Sequence, residues 1–221
     1  MGRPRTTPDA AVLEASARVM SRYGPKDFTL AHIAREAGLA PATLIQRFGS
    51  KRGLLLALAR MAAEGAGACF DAVSARHRSP LRALSASFEE MARLAETPQI
   101  LANNLAFLQI DLTDPEFRRW MLLNARATSK GIEKLLDEAI RAKELRRCDT
   151  AAVARLLQAA AHGSMVAWAV FQEGTAVEWV RRDIELVLAP YRPVRSGAGS
   201  RPATRKPGTS YRQVGNLPHK Q

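Results

Sequence analysis

The stretch that decides the fold is residues 29–48, TLAHIAREAGLAPATLIQRF. Thr29 carries the hydroxyl that caps a helix N-terminus, and Leu30, Ile33, Ala34 and Ala37 follow at the spacing of one helix face. Gly38 supplies the positive φ that a tight interhelical turn requires. Pro41 suits the start of a second helix, which Leu44, Ile45 and Phe48 carry to Gly49. Two short helices can cross closely only where a side chain is small, and Ala34 meets that need. Leu39 and Leu44 then fix the second helix on the first. This is the anatomy of a helix-turn-helix, whose outer face, Ala40, Pro41, Ala42, Thr43, Gln46 and Arg47, is free to enter a major groove. The small residues there permit close approach. Thr43 can bond a phosphate or base, Gln46 suits adenine, and Arg47 suits guanine or a phosphate. The same pattern also fits an ordinary helical hairpin in an all-α domain.

Upstream, Thr7, Pro8 and Asp9 read as the cap, the first helical position and the dipole-matching acid of a helix. Its face is Val12, Ser16, Val19, Met20 and Tyr23, and Gly24-Pro25 ends it. Downstream, Ser50 caps a helix beginning at Lys51, which offers backbone N–H groups and an ammonium to a phosphate. The spacing predicts further helices over 51–75 (loosened by Gly65 and Gly67), 80–95, 98–110, 115–145, 150–173 and 176–189. Ser79-Pro80, Thr97-Pro98, Asp114-Pro115, Asp149-Thr150 and Gly174-Thr175 punctuate them.

Composition agrees with an all-α fold. Of 221 residues, 47% are hydrophobic but only 6% aromatic, a mixture that favours helices over sheets. No run approaches the roughly 18 apolar residues of a membrane span, so a membrane protein is not expected. Met1-Gly2-Arg3-Pro4-Arg5 has no apolar stretch behind it, so no signal peptide is read there. Cys69 and Cys148 are too few for a disulfide framework or a zinc site. They read as small buried fillers of a cytoplasmic protein.

The formal net charge is +12 and unevenly spread: +6 over residues 1–60, +7 over residues 192–221, and −1 between them. A basic head points to a polyanion partner, and Arg3 and Arg5 form an arm suited to the minor groove or the backbone. The tail, with four Pro, four Gly and no acid, is expected to be disordered. It either adds phosphate neutralisation or is a solvated extension without a role. It lacks the apolar face that membrane attachment needs.

Catalysis finds no support. His32, His77, His162 and His219 are scattered, and no nucleophile elbow, phosphate loop or dinucleotide fingerprint occurs. Glu89-Glu90 and Asp137-Glu138 read as solvated helix faces. No catalytic residue, metal or cofactor is expected.

The first 60 residues resemble the DNA-binding domain of TetR-family (tetracycline-repressor-like) transcriptional regulators. The resemblance rests on Gly24, Thr29, Ile33-Ala34, Ala37-Gly38, Leu44-Ile45-Gln46-Arg47-Phe48, Ser50-Lys51 and Leu54-Leu55. It departs from the family at Ile45, where a Tyr with a phosphate-binding phenol is usual, and at Gly49, where a Pro is usual. The resemblance implies DNA contacts from Thr29, Thr43, Gln46, Arg47 and Lys51, and core roles for Phe28, Ile33, Leu44 and Phe48.

It further implies an N-terminal three-helix helix-turn-helix domain (1–60), a larger helical ligand-binding and dimerisation domain (61–191) and the basic tail (192–221). Such a protein binds a palindromic double-stranded operator as a homodimer. Segments 150–173 and 176–189 would pair through Val153, Leu156, Leu157, Ala160, Ala161, Ser164, Trp168 and Phe171, with Val177, Val180, Ile184, Val187 and Leu188. The alternative is that this stripe packs inside one chain. An apolar or amphipathic effector would find its candidate contacts among Phe70, Phe88, Met91, Leu94, Asn103, Asn104, Phe107, Leu108, Trp120, Met121 and Asn124, most of which read equally as plain core, while the three Asn need a polar partner. The function implied is a repressor released by that ligand. Two other readings stand beside it: a helical ligand-binding or interaction protein that has lost operator recognition, and a general nucleic-acid binder led by the tail.

Overall fold

The computed structural model describes residues 7–193, which excludes Arg3, Arg5 and nearly all of the basic tail. Among the described residues the chain is all-α. Its helices are α1 (Asp9–Asp27), α2 (Leu30–Ala37), α3 (Pro41–Phe48), α4 (Lys51–Ser74), α5 (Pro80–Arg93), α6 (Pro98–Thr113), α7 (Pro115–Arg141), α8 (Thr150–Phe171) and α9 (Ala176–Leu188), with a final 3-10 turn at Ala189–Tyr191.

Local chemistry sets the helix starts. Thr29, Ser50, Ser79, Thr97, Asp114, Asp149 and Thr175 each accept a hydrogen bond from a first-turn amide of the helix that follows. Thr175 and Glu178 complete a reciprocal capping box. Thr7 is the exception: α1 begins at Asp9 with Pro8 in the cap position and no side-chain cap. Gly24, at φ 69°, breaks the helical path of α1 where the sequence places its end.

Two cores organise these helices. Val12, Val19, Phe28, Ile33, Ala34, Leu44 and Leu54 form the core of the head, with Phe107 of α6 packed against it. The body core joins α5, α7, α8 and α9 around Leu84, Phe88, Ile132, Leu135, Leu136, Leu157, Trp168, Val180, Ile184 and Leu188. Helix α4 is continuous through residue 60, so the division expected there falls inside a helix that gives Leu54 to the head and packs along α7 in the body. Gly65 and Gly67 do not interrupt it.

Several expectations need correction. Cys69 is exposed and Cys148 half-buried, so Cys69 is no core filler. Helix α7 stops at Arg141, short of 145, because Lys143 turns to φ 59° and delivers Leu145 to the core. Glu89 is not solvated. Its side chain is 14% exposed and pairs with Arg181 of α9 and Arg93, which hold its carboxyl below the ordinary range. Finally, α4 is long and apolar enough by length and composition to span a membrane, although no membrane is part of the structure. Its apolarity comes from dispersed Ala as well as Leu, rather than from one continuous run of large apolar residues. Arg60 and Glu64 pair along its outer side.

Candidate nucleic-acid interface

Helices α2 and α3 meet at Gly38, whose φ of 67° and ψ of 36° place it in the left-handed region. The turn closes through the Leu39 amide, which donates to the Ala34 carbonyl at 2.8 Å. Ile33, Ala34 and Leu44 are at most 1% exposed, so the inner faces of both helices are fully used in packing. This leaves Ala40, Pro41, Ala42, Ile45 and Gln46 exposed on α3 and its approach, with Thr43 half-buried beside them. Ile45 is 43% exposed, a large hydrocarbon surface in the centre of that face. Its outward position follows from the inward one of Leu44, so the residue that replaces the usual Tyr is also a potential contact.

Arg47 and Lys51 occupy a different setting from the rest. Arg47 Nη1 donates to the Thr7 carbonyl at 2.5 Å and pairs with Asp9 at 3.3 Å, tying α3 to the start of α1. Lys51 Nζ donates to the Phe28 carbonyl at 2.8 Å and lies 3.7 Å from the centre of the Phe28 ring. Both cations bind the head together. They are not presented on its outer face. Thr29 is exposed, with its oxygen capping α2 through the His32 amide at 3.2 Å. His32 stacks on Tyr23 at 4.4 Å between ring centres, and its buried Nδ1 has no partner among the described residues. Arg3 and Arg5 lie outside the described residues.

The candidate effector residues do not converge on one cavity. Phe88 is core, Met91 packs against the core, and Phe70 lies so close over Gly131 that a Cβ there would meet its ring at 2.7 Å. Each asparagine has a protein partner. Asn103 donates to the Ser21 and Arg22 carbonyls at 2.8 and 3.0 Å, just before the break at Gly24. Asn104 accepts from the Ser21 hydroxyl at 2.8 Å, and Asn124 donates to the Ala62 carbonyl at 3.0 Å. They latch helices together, which answers the need of polar groups on apolar helices without a ligand. Trp120, Met121 and Leu108 are half-buried, and Leu94 is exposed.

Of the expected set, Phe107 alone lines a mostly apolar cleft of about 160 Å³ at the junction of head and body. It faces Met20 of α1, Leu55, Leu58 and Ala62 of α4, and Phe117 of α7. Beside this cleft Arg52 of α4 joins the α6–α7 corner through Asp114 at 2.8 Å and Glu116 at 2.7 Å. The guanidinium holds the Asp114 carboxyl below its usual range. Among the described residues no cluster of His, Cys, Asp and Glu is arranged to hold a metal.

On α8, most of the stripe expected to pair two subunits packs inside the chain: Val153, Leu157, Ala161, Ser164 and Trp168 are buried. On α9, Val180, Ile184 and Leu188 are buried likewise. The outward face is another one. Leu156, Ala159, Gly163, Val166 and Val170 are exposed and recur every three or four residues, which is the spacing of a single helix face.

A helix-turn-helix head on a helical body defines the class of protein. Residues 12–58 match the family model described as bacterial regulatory proteins, tetR family. A curated relative, the HTH-type transcriptional regulator BetI of Rhizobium meliloti (strain 1021), is 32% identical over 122 residues, which span 52% of this chain and 58% of that relative. The fold is similar to that of a TetR transcription regulator from Haloarcula marismortui, with a TM-score of 0.68 at 17% identity, covering 84% of this chain and 98% of that one. It is also similar to the transcriptional regulator FadR of Bacillus subtilis, solved in complex with stearoyl-CoA. That comparison has a TM-score of 0.61 at 17% identity and covers 82% and 98% of the two chains. The similarity to the tetR family model thus lies in residues 12–58, and the chain matches a little over half the length of the curated relative.

Proposed function

We propose that the protein is a sequence-specific DNA-binding transcriptional regulator, acting as a homodimer on a palindromic operator and working as a repressor released by a small ligand. The observation that carries this reading is the outer face of α3, where Ile45 and Gln46 stand exposed among Pro41, Ala42 and Thr43 with the inner face fully packed. Gln46 suits adenine and Ile45 suits the methyl group of thymine, while small neighbours let the backbone approach the bases. Thr29, Thr43 and the amides at the start of α4 supply phosphate contacts. Ala40 allows the turn to lie against the groove wall. Arg47 and Lys51 contribute by holding the head's shape, and Arg3 and Arg5 remain candidate minor-groove contacts.

The dimer is supported by the exposed face of α8, whose small Ala159 and Gly163 permit a close helix crossing flanked by Leu156, Val166 and Val170. The effector reading is supported by the junction cleft. Helix α4 runs directly from the recognition helix into it, so a ligand there favours one setting of the head over another. On this reading the DNA-binding head spans 1–60, the effector and dimer body spans 61–191, and the protein acts in the cytoplasm without catalysis.

The absence of an exposed cation on α3 favours the second reading, a ligand-binding protein of this fold without operator recognition. Selection of bound duplexes from a random library separates the two. A regulator enriches an inverted repeat whose half-sites lie about 34–36 Å apart, or a multiple of one helical turn. Enrichment of no motif contradicts the regulator: a chain that then retains no duplex is the ligand-binding alternative, and one that retains all duplexes alike is a general nucleic-acid binder.

A further inference from the structure

The junction cleft contains one group that its hydrocarbon lining does not explain. Half-buried Asp111 lines the cleft together with Met20, Leu55, Leu58, Phe107, Ile110 and Phe117. It makes no hydrogen bond or ion pair with any of the described residues. The neighbouring cation, Arg52, is engaged by Asp114 and Glu116. Burial raises the Asp111 pKa above the ordinary range, and no charged neighbour contributes to the shift. A carboxylate facing hydrocarbon without a donor is stabilised by whatever brings it a positive charge and N–H groups. Phe107 and Phe117 add ring faces that attract the same kind of charge. The volume of about 160 Å³ is close to that of a cavity of roughly 150 Å³ known to admit benzene, so one ring with a short arm is the right size.

We propose that this cleft binds a protonated amine on a compact hydrocarbon body, with the ammonium on the Asp111 carboxylate and the body among the Leu, Met and Phe side chains. The same carboxylate repels carboxylates and phosphates, so acidic ligands are excluded. The inference refines the effector reading given above and depends on it only for the consequence at DNA.

The test is titration calorimetry of the full chain with three matched probes: 2-phenylethylamine, protonated at pH 7; propylbenzene, its neutral isostere; and 3-phenylpropionate, an anion. The amine is expected to bind at least about tenfold more tightly than propylbenzene, because only the amine forms the charge-assisted contact. The anion is expected not to bind. Asp111→Asn removes the preference for the amine, and Asp111→Leu, which completes the hydrocarbon lining, binds propylbenzene more tightly than the parent does. Equal affinity for amine and isostere, an amine affinity unchanged in Asp111→Asn, or no heat from any probe would each overturn the proposal. If the amine binds through Asp111 but leaves operator affinity unchanged, the amine site stands and the effector reading falls.

Discussion

Gln46 and Arg47 are neighbours in sequence with opposite fates in the fold. Gln46 points outward, and Arg47 reaches back to Thr7 and Asp9. Replacing Gln46 by Ala is expected to weaken operator binding by about 1–3 kcal/mol and leave binding to a scrambled duplex unchanged, as fluorescence anisotropy on both duplexes would read. Equal weakening on both would show that Gln46 reads no base. Asn103 offers a second test at this scale. Asn103→Ala leaves the Ser21 and Arg22 carbonyls without a donor beside the break at Gly24. A loss of about 1–3 kcal/mol is expected in denaturant unfolding. An unchanged midpoint would show that water replaces the amide. Neither the inward turn of Arg47 nor the latch at Asn103 is legible in the sequence. Each depends on a partner 40 or 81 residues away, while helix periodicity reports only which side of its own helix a residue occupies.

The elements themselves were far more legible, and the reason is local. A cap and the amides it satisfies lie within three residues of each other, so Thr29, Ser50, Thr97 and Asp114 announce their helices without any tertiary information. Ends were less so: α7 stops at Arg141, and the turn that follows uses Lys143, whose positive φ no residue type signals. The faces of α8 were hardest. Both of its sides are apolar, and the assignment of one to the core and the other to the surface is made by where α9 packs. Helix α4 supplies the prediction at this scale. A Cβ added at Gly65 meets nothing within 4 Å, and the residue lies in the helix interior. Gly65→Ala is therefore expected to stabilise the chain by about 0.5–1 kcal/mol, with a higher thermal midpoint as the check. A lower midpoint would mean that the helix is not continuous there in solution.

At the scale of the whole molecule, the head and body share α4, and they are further fastened by the Arg52 pairs at the α6–α7 corner, by Asn103 and Asn104 on α1, and by Phe107 against the head core. One recognition helix reads only a few base pairs, so the account needs a second copy at a fixed distance. The exposed stripe on α8 is its proposed seat. Val170→Asp, at a position 74% exposed in the single chain, is expected to leave the monomer's fold intact and to halve the mass observed by sedimentation. A mass unaffected by Val170→Asp would move the interface elsewhere. The central claim is that the face of α3 reads DNA sequence. Its most direct test is anisotropy of the full chain on a duplex from upstream of its own gene, against a scrambled duplex, at two salt concentrations. The account predicts a preference of roughly a hundredfold or more, with affinity falling steeply as salt rises. Equal binding to the two duplexes, or none to either, together with no motif enriched from a genome-wide binding selection, would contradict it.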